Sequence, residues 1–305
     1  MNKNILSVLD FKNEIEEIID FGLKLKKDFN SGKKLNYLNN KTLGLIFERA
    51  SLRTRVSFEL GMDILGGRVV SVDKDQIKIG SRESVKDVAL VFSRYVDIIV
   101  YRSLSQDDLQ EFAKNSTVPV INGLDRNEHP CQILADFMTI KEKKGRLSGL
   151  NFVFIGDGNN NLTNSYLLAC PIVGMNIKVV SPRKYLPKKN FVETAIEFSK
   201  VSKSKVVLQD NMDQLQDSDI ITTDTWISLW DKNEREQRIK DFKQYKITKE
   251  IMANAKKDAI FMHCMPICYQ EEVTKEVAYG PQSVVLDEAE NRLWAQMALM
   301  IKMLS

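Results

Sequence analysis

The chain has 305 residues, 43% hydrophobic and 28% charged, with a net charge of +3. That length suggests about two domains with sizeable cores, and the scattered charge, free of Lys/Arg blocks or aromatic-interleaved basic stripes, argues against nucleic acid. No apolar run reaches the ~18 residues of a membrane span, and the four scattered cysteines (Cys131, Cys170, Cys264, Cys268) suit a reduced, cytoplasmic protein rather than a disulfide framework.

The opening stretch, MNKNILSVLDFKNEIEEIIDFG, turns acidic and amphipathic early, unlike a signal peptide. Short apolar runs at 43–47, 68–72, 97–101 and 118–122 then read as strands, with helical patterns at 53–65, 83–93 and 106–114 between them. A long helix follows in HPCQILADFMTIKEKKG, with Pro130 in its first turn and Gly145 at its end. The pattern restarts with NFVFIGDG, IKVVSP, SKVVLQ, DIITTD, AIFMHCMP and SVVLDE as strands, and EAENRLWAQMALMIKML closes as an amphipathic helix. Alternating strands and helices predict an α/β protein of two doubly wound parallel-sheet domains. The expected boundaries are 1–145, joined by the final helix 288–305, and 146–287. Ligands of such sheets bind beyond the carboxyl ends of the strands. Every motif below falls at such an end, so the active site is expected in the cleft between the domains.

The stretch ERASLRTRVSFELG places Ser51 as an N-cap candidate, with Arg53, Thr54 and Arg55 in the first helical turn. Val56, Leu60 and Ile64 share one helical face. Cations at a helix N-terminus oppose its dipole, at about 0.3–1 kcal/mol each. A bound phosphate would reverse that sign, using the free N–H groups, the hydroxyls and the guanidiniums together. The alternative is that the arginines are solvated or pair with Glu48 and Glu59. There is no GxxxxGK[ST] P-loop.

FERASLRTR resembles the carbamoyl-phosphate signature of the aspartate/ornithine carbamoyltransferase family. HPCQILAD, GDGNN, TDTWIS, HCMP and DEAENR extend the resemblance over nearly the whole chain in matching order, and it is closest to the ornithine-using branch. The resemblance implies transfer of a carbamoyl group from carbamoyl phosphate to ornithine's side-chain amine, giving citrulline and phosphate in arginine metabolism, anabolic or catabolic. No metal or organic cofactor is implied.

By the same resemblance carbamoyl phosphate is held by Ser51, Arg53, Thr54, Arg55, Arg102, His129, Gln132, Cys264, Met265 and Arg292. Arg102, His129 and Cys264 are the expected catalytic residues. Arg102, His129 and Thr54 would stabilise charge at the carbamoyl oxygen, where one donor can matter ~100-fold. Alone, His129 would read as a polar helix-start residue, Arg102 as a strand-end arginine and Cys264 as a small core residue. His263 reads as structural. Cys264 and Cys268 form C-x-x-x-C without a second pair, which argues against zinc. The family forms homotrimers, and Lys78 resembles a position that reaches into a neighbour's site to contact carbamoyl phosphate there; the alternative is a solvated loop lysine.

A lysine-like amine has a pKa near ~10.4, so about one ornithine in a few thousand has it neutral at pH 7. Asn160, Asp224, Ser228 and Leu229 match residues that hold ornithine, and Asp224 and Cys264 would set the amine's protonation. SLWDKNERE departs from the family's Ser-Met-Gly: Trp230 stands for a glycine, and the charged stretch after it reads as a mobile lid. The ICYQEEV stretch also departs from the HCLPA continuation. Putrescine or a modified ornithine are therefore the alternative amines. A dinucleotide oxidoreductase is disfavoured because FIGDGNNN lacks G-x-G-x-x-G, and a non-catalytic relative is disfavoured because the polar positions are chemically competent.

Overall fold

The computed structural model describes residues 3–73, 77, 79–80, 82–228, 230 and 232–305. The chain forms two compact units, Met1–Met138 with Glu290–Ser305, and Thr139–Ala289. They part inside a helix, before the Gly145 link that the sequence suggests.

In the first unit, α1 (Ile15–Asn30) precedes β1 (Thr42–Phe47), α2 (Leu52–Ile64), β2 (Arg68–Asp73), α3 (Val85–Phe92), β3 (Ile98–Arg102), α4 (Gln106–Asn115), β4 (Val120–Asn122) and α5 (Pro130–Lys144). The four strands are parallel in the order β2-β1-β3-β4. β1, β3 and β4 are almost wholly buried, while edge strand β2 is half exposed. Their unbroken apolar runs are what a sheet covered on both faces requires. The core packs Ile46, Val88, Ile99, Tyr101, Leu109 and Phe112, each large side chain contributing roughly 1.5–3 kcal/mol on burial.

The second unit continues with β5 (Asn151–Ile155), α6 (Asn161–Ile172), β6 (Asn176–Val180), α7 (Lys189–Ser202), β7 (Val206–Gln209), β8 (Ile220–Thr223), α8 (Arg235–Phe242), α9 (Lys249–Ala253), β9 (Ile260–His263) and α10 (Lys275–Ala278). Helix α11 (Val285–Leu304) returns the chain to the first unit. The sheet is parallel, in the order β7-β6-β5-β8-β9. Its core includes Ile155, Tyr185, Trp226, Phe242, Tyr245 and Phe261.

One expectation is corrected. SVVLDE is not a strand: Ser283 makes one isolated bridge to Phe261, and helix α11 takes over at Val285. Val56 and Leu60, which share a face of α2, are 46% and 45% exposed, while the helix buries Thr54, Ser57, Phe58, Gly61 and Met62.

In each sheet the strand order reverses once, between β1 and β3 and between β5 and β8. These switch points open a crevice at the carboxyl ends of adjacent strands. Phe47 is in register with Arg102, so the turn into α2 starts beside the end of β3. The turn after β5 likewise lies beside Asp224 at the end of β8.

Candidate active site

The first switch point gathers most of the predicted anion-binding residues. Ser51 occupies the N-cap position of α2 with extended backbone, yet its side chain makes no capping hydrogen bond. Thr54, in the first turn and 1% exposed, accepts hydrogen bonds at Oγ1 from Arg102 Nη1 at 3.3 Å and Arg292 Nη2 at 3.1 Å. A hydroxyl has two lone pairs and one hydrogen. Both lone pairs face guanidiniums, so the Thr54 O–H is left to donate toward an incoming acceptor.

Arg292 is held on all sides. It donates to Gln132 Oε1, and Gln132 in turn donates to Asp136 at 2.8 Å. Gln296, with its amide nitrogen toward Ser57, accepts from Arg292 Nε at 3.0 Å and Nη2 at 2.8 Å. Ser57 donates onward to the Arg53 carbonyl at 2.5 Å. Asp136 and Gln296 lie four positions beyond Gln132 and Arg292, the helical spacing that brings side chains together. That spacing is the sequence signal that could have found them.

His129 is 6% exposed at the start of α5. Burial, then the guanidiniums of Arg292, Arg102 and Arg53, hold it well below the usual histidine range. It is therefore a neutral imidazole at pH 7, able to donate one hydrogen bond. Arg102 and Arg292 share Thr54 and so lie within about 6.5 Å of each other; at an effective dielectric of about 20 their repulsion is about 2.5 kcal/mol. A dianion beside them would turn that repulsion into attraction.

Arg55 is not part of this convergence. Its guanidinium pairs with Asp73, reaches Ser71 at 2.6 Å and Glu59 at 3.8 Å, and lies 4.8 Å from the Phe47 ring centroid. Residues two apart on a helix sit roughly 200° apart around its axis, so Arg53 and Arg55 face opposite ways. Glu48 is taken up by Tyr101 and by Ser103 at 3.2 Å, tying the end of β1 to that of β3. Lys78 lies outside the described residues.

The second switch point carries the candidate amine-binding residues. Gly156 has φ +147°, and a Cβ on Gly158 would sit 2.7 Å from the Tyr185 carbonyl, so both GDG glycines are needed for the turn after β5. Asn160 caps α6: its Oδ1 accepts from Thr163 N at 2.7 Å and Thr163 Oγ1 at 3.0 Å. Its Nδ2 is buried with no hydrogen-bond partner among the described residues, a donor set for a ligand acceptor.

Asp224, at the end of β8, accepts the Cys264 thiol at 3.4 Å and the Thr225 N–H at 2.7 Å. Burial lifts its carboxyl above the usual carboxylate range, partly opposed by His263, the Thr225 N–H and the Cys264 thiol. His263 Nδ1 accepts from Met265 N at 2.8 Å, which places the ring hydrogen on Nε2, 3.2 Å from Glu272 Oε1. His263 thus fixes the turn that carries Cys264 and Met265. Ser228 accepts from Trp230 N at 3.3 Å, and Leu229 lies outside the described residues. Donor atoms of Asp224, His263 and Cys264 cluster within 4.8 Å, as do those of Cys268, Glu271 and Glu272.

One arrangement had no sequence signal. Buried Arg238 of α8 pairs with Asp157 of the GDG turn and donates to the Trp226 carbonyl at 2.6 Å. Its guanidinium lies 4.7 Å from the Tyr185 ring centroid and 5.4 Å from that of Phe242. It joins the GDG turn, the TDTWIS loop and α8. Among the described residues no helix is long and apolar enough to cross a membrane.

Known proteins resemble this chain along its whole length. Residues 3–142 match the carbamoyl-P binding domain of aspartate/ornithine carbamoyltransferase, and residues 148–303 its Asp/Orn binding domain. The chain is 45% identical to the catabolic ornithine carbamoyltransferase of Thermoplasma volcanium over 99% of both chains. It is 47% identical to the ornithine carbamoyltransferase of Caldicellulosiruptor saccharolyticus, covering 95% of this chain and 94% of that protein. The solved ornithine carbamoyltransferase of Pyrococcus furiosus superposes with a TM-score of 0.94 at 39% identity, covering 98% of this chain and 96% of that one. The anabolic enzyme of Campylobacter jejuni gives 0.92 at 36% identity over 99% of both. With both halves matched and relatives this similar along its length, the chain belongs to the aspartate/ornithine carbamoyltransferase family.

Proposed function

We infer that this chain is an ornithine carbamoyltransferase, moving the carbamoyl group of carbamoyl phosphate to the side-chain amine of ornithine. The observation that carries the reading is the Thr54 hydroxyl, flanked by Arg102 and Arg292 with its hydrogen left to donate, beside a neutral His129. Full-length relatives that bear the same name, at 43–47% identity, support ornithine as the amine.

Ser51, Arg53, Thr54 and the first-turn N–H groups of α2 hold the phosphate, and Gln132 and Arg292 orient the carbamoyl group. The neutral amine of ornithine, positioned by Asn160, Asp224 and Ser228, attacks the carbamoyl carbon. Its nitrogen forms the new C–N bond as the bond from the carbamoyl carbon to the phosphate oxygen breaks, and the proton it gives up passes to the departing phosphate. Charge gathering on the carbonyl oxygen is met by Arg102, Thr54 and His129, which are already oriented and so cost little reorganisation. Asp224 and Cys264 stabilise the approaching amine. Arg55 supports α2 from β2 instead of binding phosphate.

The assembly is a homotrimer in this reading. Leu52, Val56 and Leu60, at steps of four along α2, expose 73%, 46% and 45% of their surface. An apolar stripe of this kind marks an interface. Multi-angle light scattering on the purified protein checks it, with three chains per particle as the expected mass.

A colorimetric citrulline assay tests the activity, with putrescine and acetylornithine in parallel with ornithine. Carbamoylation of ornithine at least ~100-fold faster than of the others supports the reading. Preference for another amine would trace to Trp230 and overturn the choice of ornithine.

A further inference from the structure

Glu271 and Glu272 follow the turn that carries His263 and Cys264, and each carboxylate is tied at one oxygen. Oε1 of Glu271 pairs with Arg235 Nη2. Oε1 of Glu272 faces His263 Nε2 at 3.2 Å and accepts the Cys268 N–H at 2.6 Å. Oε2 of both is buried without a hydrogen-bond partner among the described residues, and Glu272 is 0% exposed. Buried carboxylate oxygens left this way need a partner, such as an ion or a water. The half-buried, free thiol of Cys268 stands beside them, with its sulfur and one oxygen from each carboxylate within 4.8 Å of one another.

We propose that Cys268, Glu271 and Glu272 form a binding site for a divalent transition metal of zinc's type, with the fourth position open to water. A thiolate among carboxylates selects such an ion over magnesium or calcium, which take oxygen alone. Tetrahedral zinc with bonds of about 2.0–2.3 Å spaces its donors about 3.6 Å apart, so the trio closes with shifts of about an ångström. Arg235 and His263 already hold the outer oxygens, as the groups behind metal ligands usually do. On binding, the Cys268 S–H bond gives way to a sulfur–metal bond and its proton passes to water. The Cys264 thiol is not a ligand here; it belongs with Asp224. Cys268 lies in the ICYQEEV stretch, where the sequence leaves the family's pattern.

The test uses chelator-treated full-length protein titrated with Zn2+ by calorimetry and with Co2+ by absorption. One metal per chain and a thiolate-to-cobalt charge-transfer band are expected. Cys268→Ser should abolish the band and weaken Zn2+ at least tenfold, and Glu271→Gln should weaken it at least tenfold, with circular dichroism showing both folded. If one variant does not fold, the other carries the same prediction. Absence of saturable Zn2+ heat with the wild-type protein overturns the proposal. So does a Cys268→Ser protein that keeps the band, which assigns the metal to Asp224, His263 and Cys264. These readouts do not involve citrulline, so their failure leaves the transferase reading standing.

Discussion

Replacing Arg292 with methionine separates what this arginine does for the fold from what it does for the ligand. In the unliganded protein the substitution removes donors to Thr54, Gln132 and Gln296, and a buried acceptor left unmatched costs about 1–3 kcal/mol. Against this, it relieves about 2.5 kcal/mol of repulsion with Arg102. Thr54 keeps Arg102, but Gln132 and Gln296 both lose the donors Arg292 gave them, so the cost of about 2–6 kcal/mol exceeds the relief by up to about 3.5 kcal/mol and the midpoint of thermal unfolding should fall by several degrees. With carbamoyl phosphate the terms no longer oppose. A charge-assisted hydrogen bond is worth about 1.5–3 kcal/mol, and the lost attraction of a nearby charge adds to it. A loss of about 3 kcal/mol corresponds to roughly 100-fold in kcat/KM for carbamoyl phosphate. Steady-state citrulline formation with ornithine saturating reads this directly. The chain has two histidines, so NMR can also follow His129, whose pKa should rise once its second-largest depressing influence is gone. A variant within fivefold of wild type, with the His129 titration unmoved, would refute the reasoning.

Asp224→Asn should lower kcat/KM for ornithine ~100-fold or more while leaving the Kd for carbamoyl phosphate within about twofold, as calorimetry of each ligand would show. Arg238→Met strands the buried Asp157 carboxylate and should cost about 3–5 kcal/mol in urea unfolding, with Asp157→Asn in the same chain recovering part of it. Glu128 governs a pH dependence: burial lifts its carboxyl from 4.5 to about 7, partly opposed by the Val8 N–H it accepts. A carboxyl raised on folding contributes stability fully below about 4.5 and loses it as pH climbs through 7. Glu128→Gln should therefore match wild type near pH 4.5 and exceed it by roughly 3 kcal/mol at pH 8, measured by thermal unfolding across that range.

The strands that position the site were legible because they are buried, β9 included although it lies at the edge of its sheet. β1, β3, β5, β8 and β9 read as plain apolar runs, and their ends carry the motifs. SVVLDE has the same composition, but its strand-like bonding ends at Val284, whose N–H reaches the Phe261 carbonyl at 3.0 Å, and from Val285 a helix with Asp287 and Glu288 in its first turn takes over. The arginine pair was legible at the start of a helix, though not where each side chain goes. The 100° step of α2 separates Arg53 from Arg55, and only the position of Asp73 and Ser71 on β2 shows where Arg55 goes. Gln296 and Asp136 carry i,i+4 spacing and could have been found. The Arg238–Asp157 pair could not, because no periodicity links residues on separate elements.

The most direct measurement of the central claim is a calorimetric titration of wild-type protein with carbamoyl phosphate in the absence of amine, repeated with Arg53→Ala. Saturable, salt-sensitive binding to the wild type at one site per chain, weakened at least tenfold in the variant, is the predicted result. Equal binding by the two proteins, or no heat from folded wild-type protein at millimolar carbamoyl phosphate, would contradict an anion site built on the start of α2.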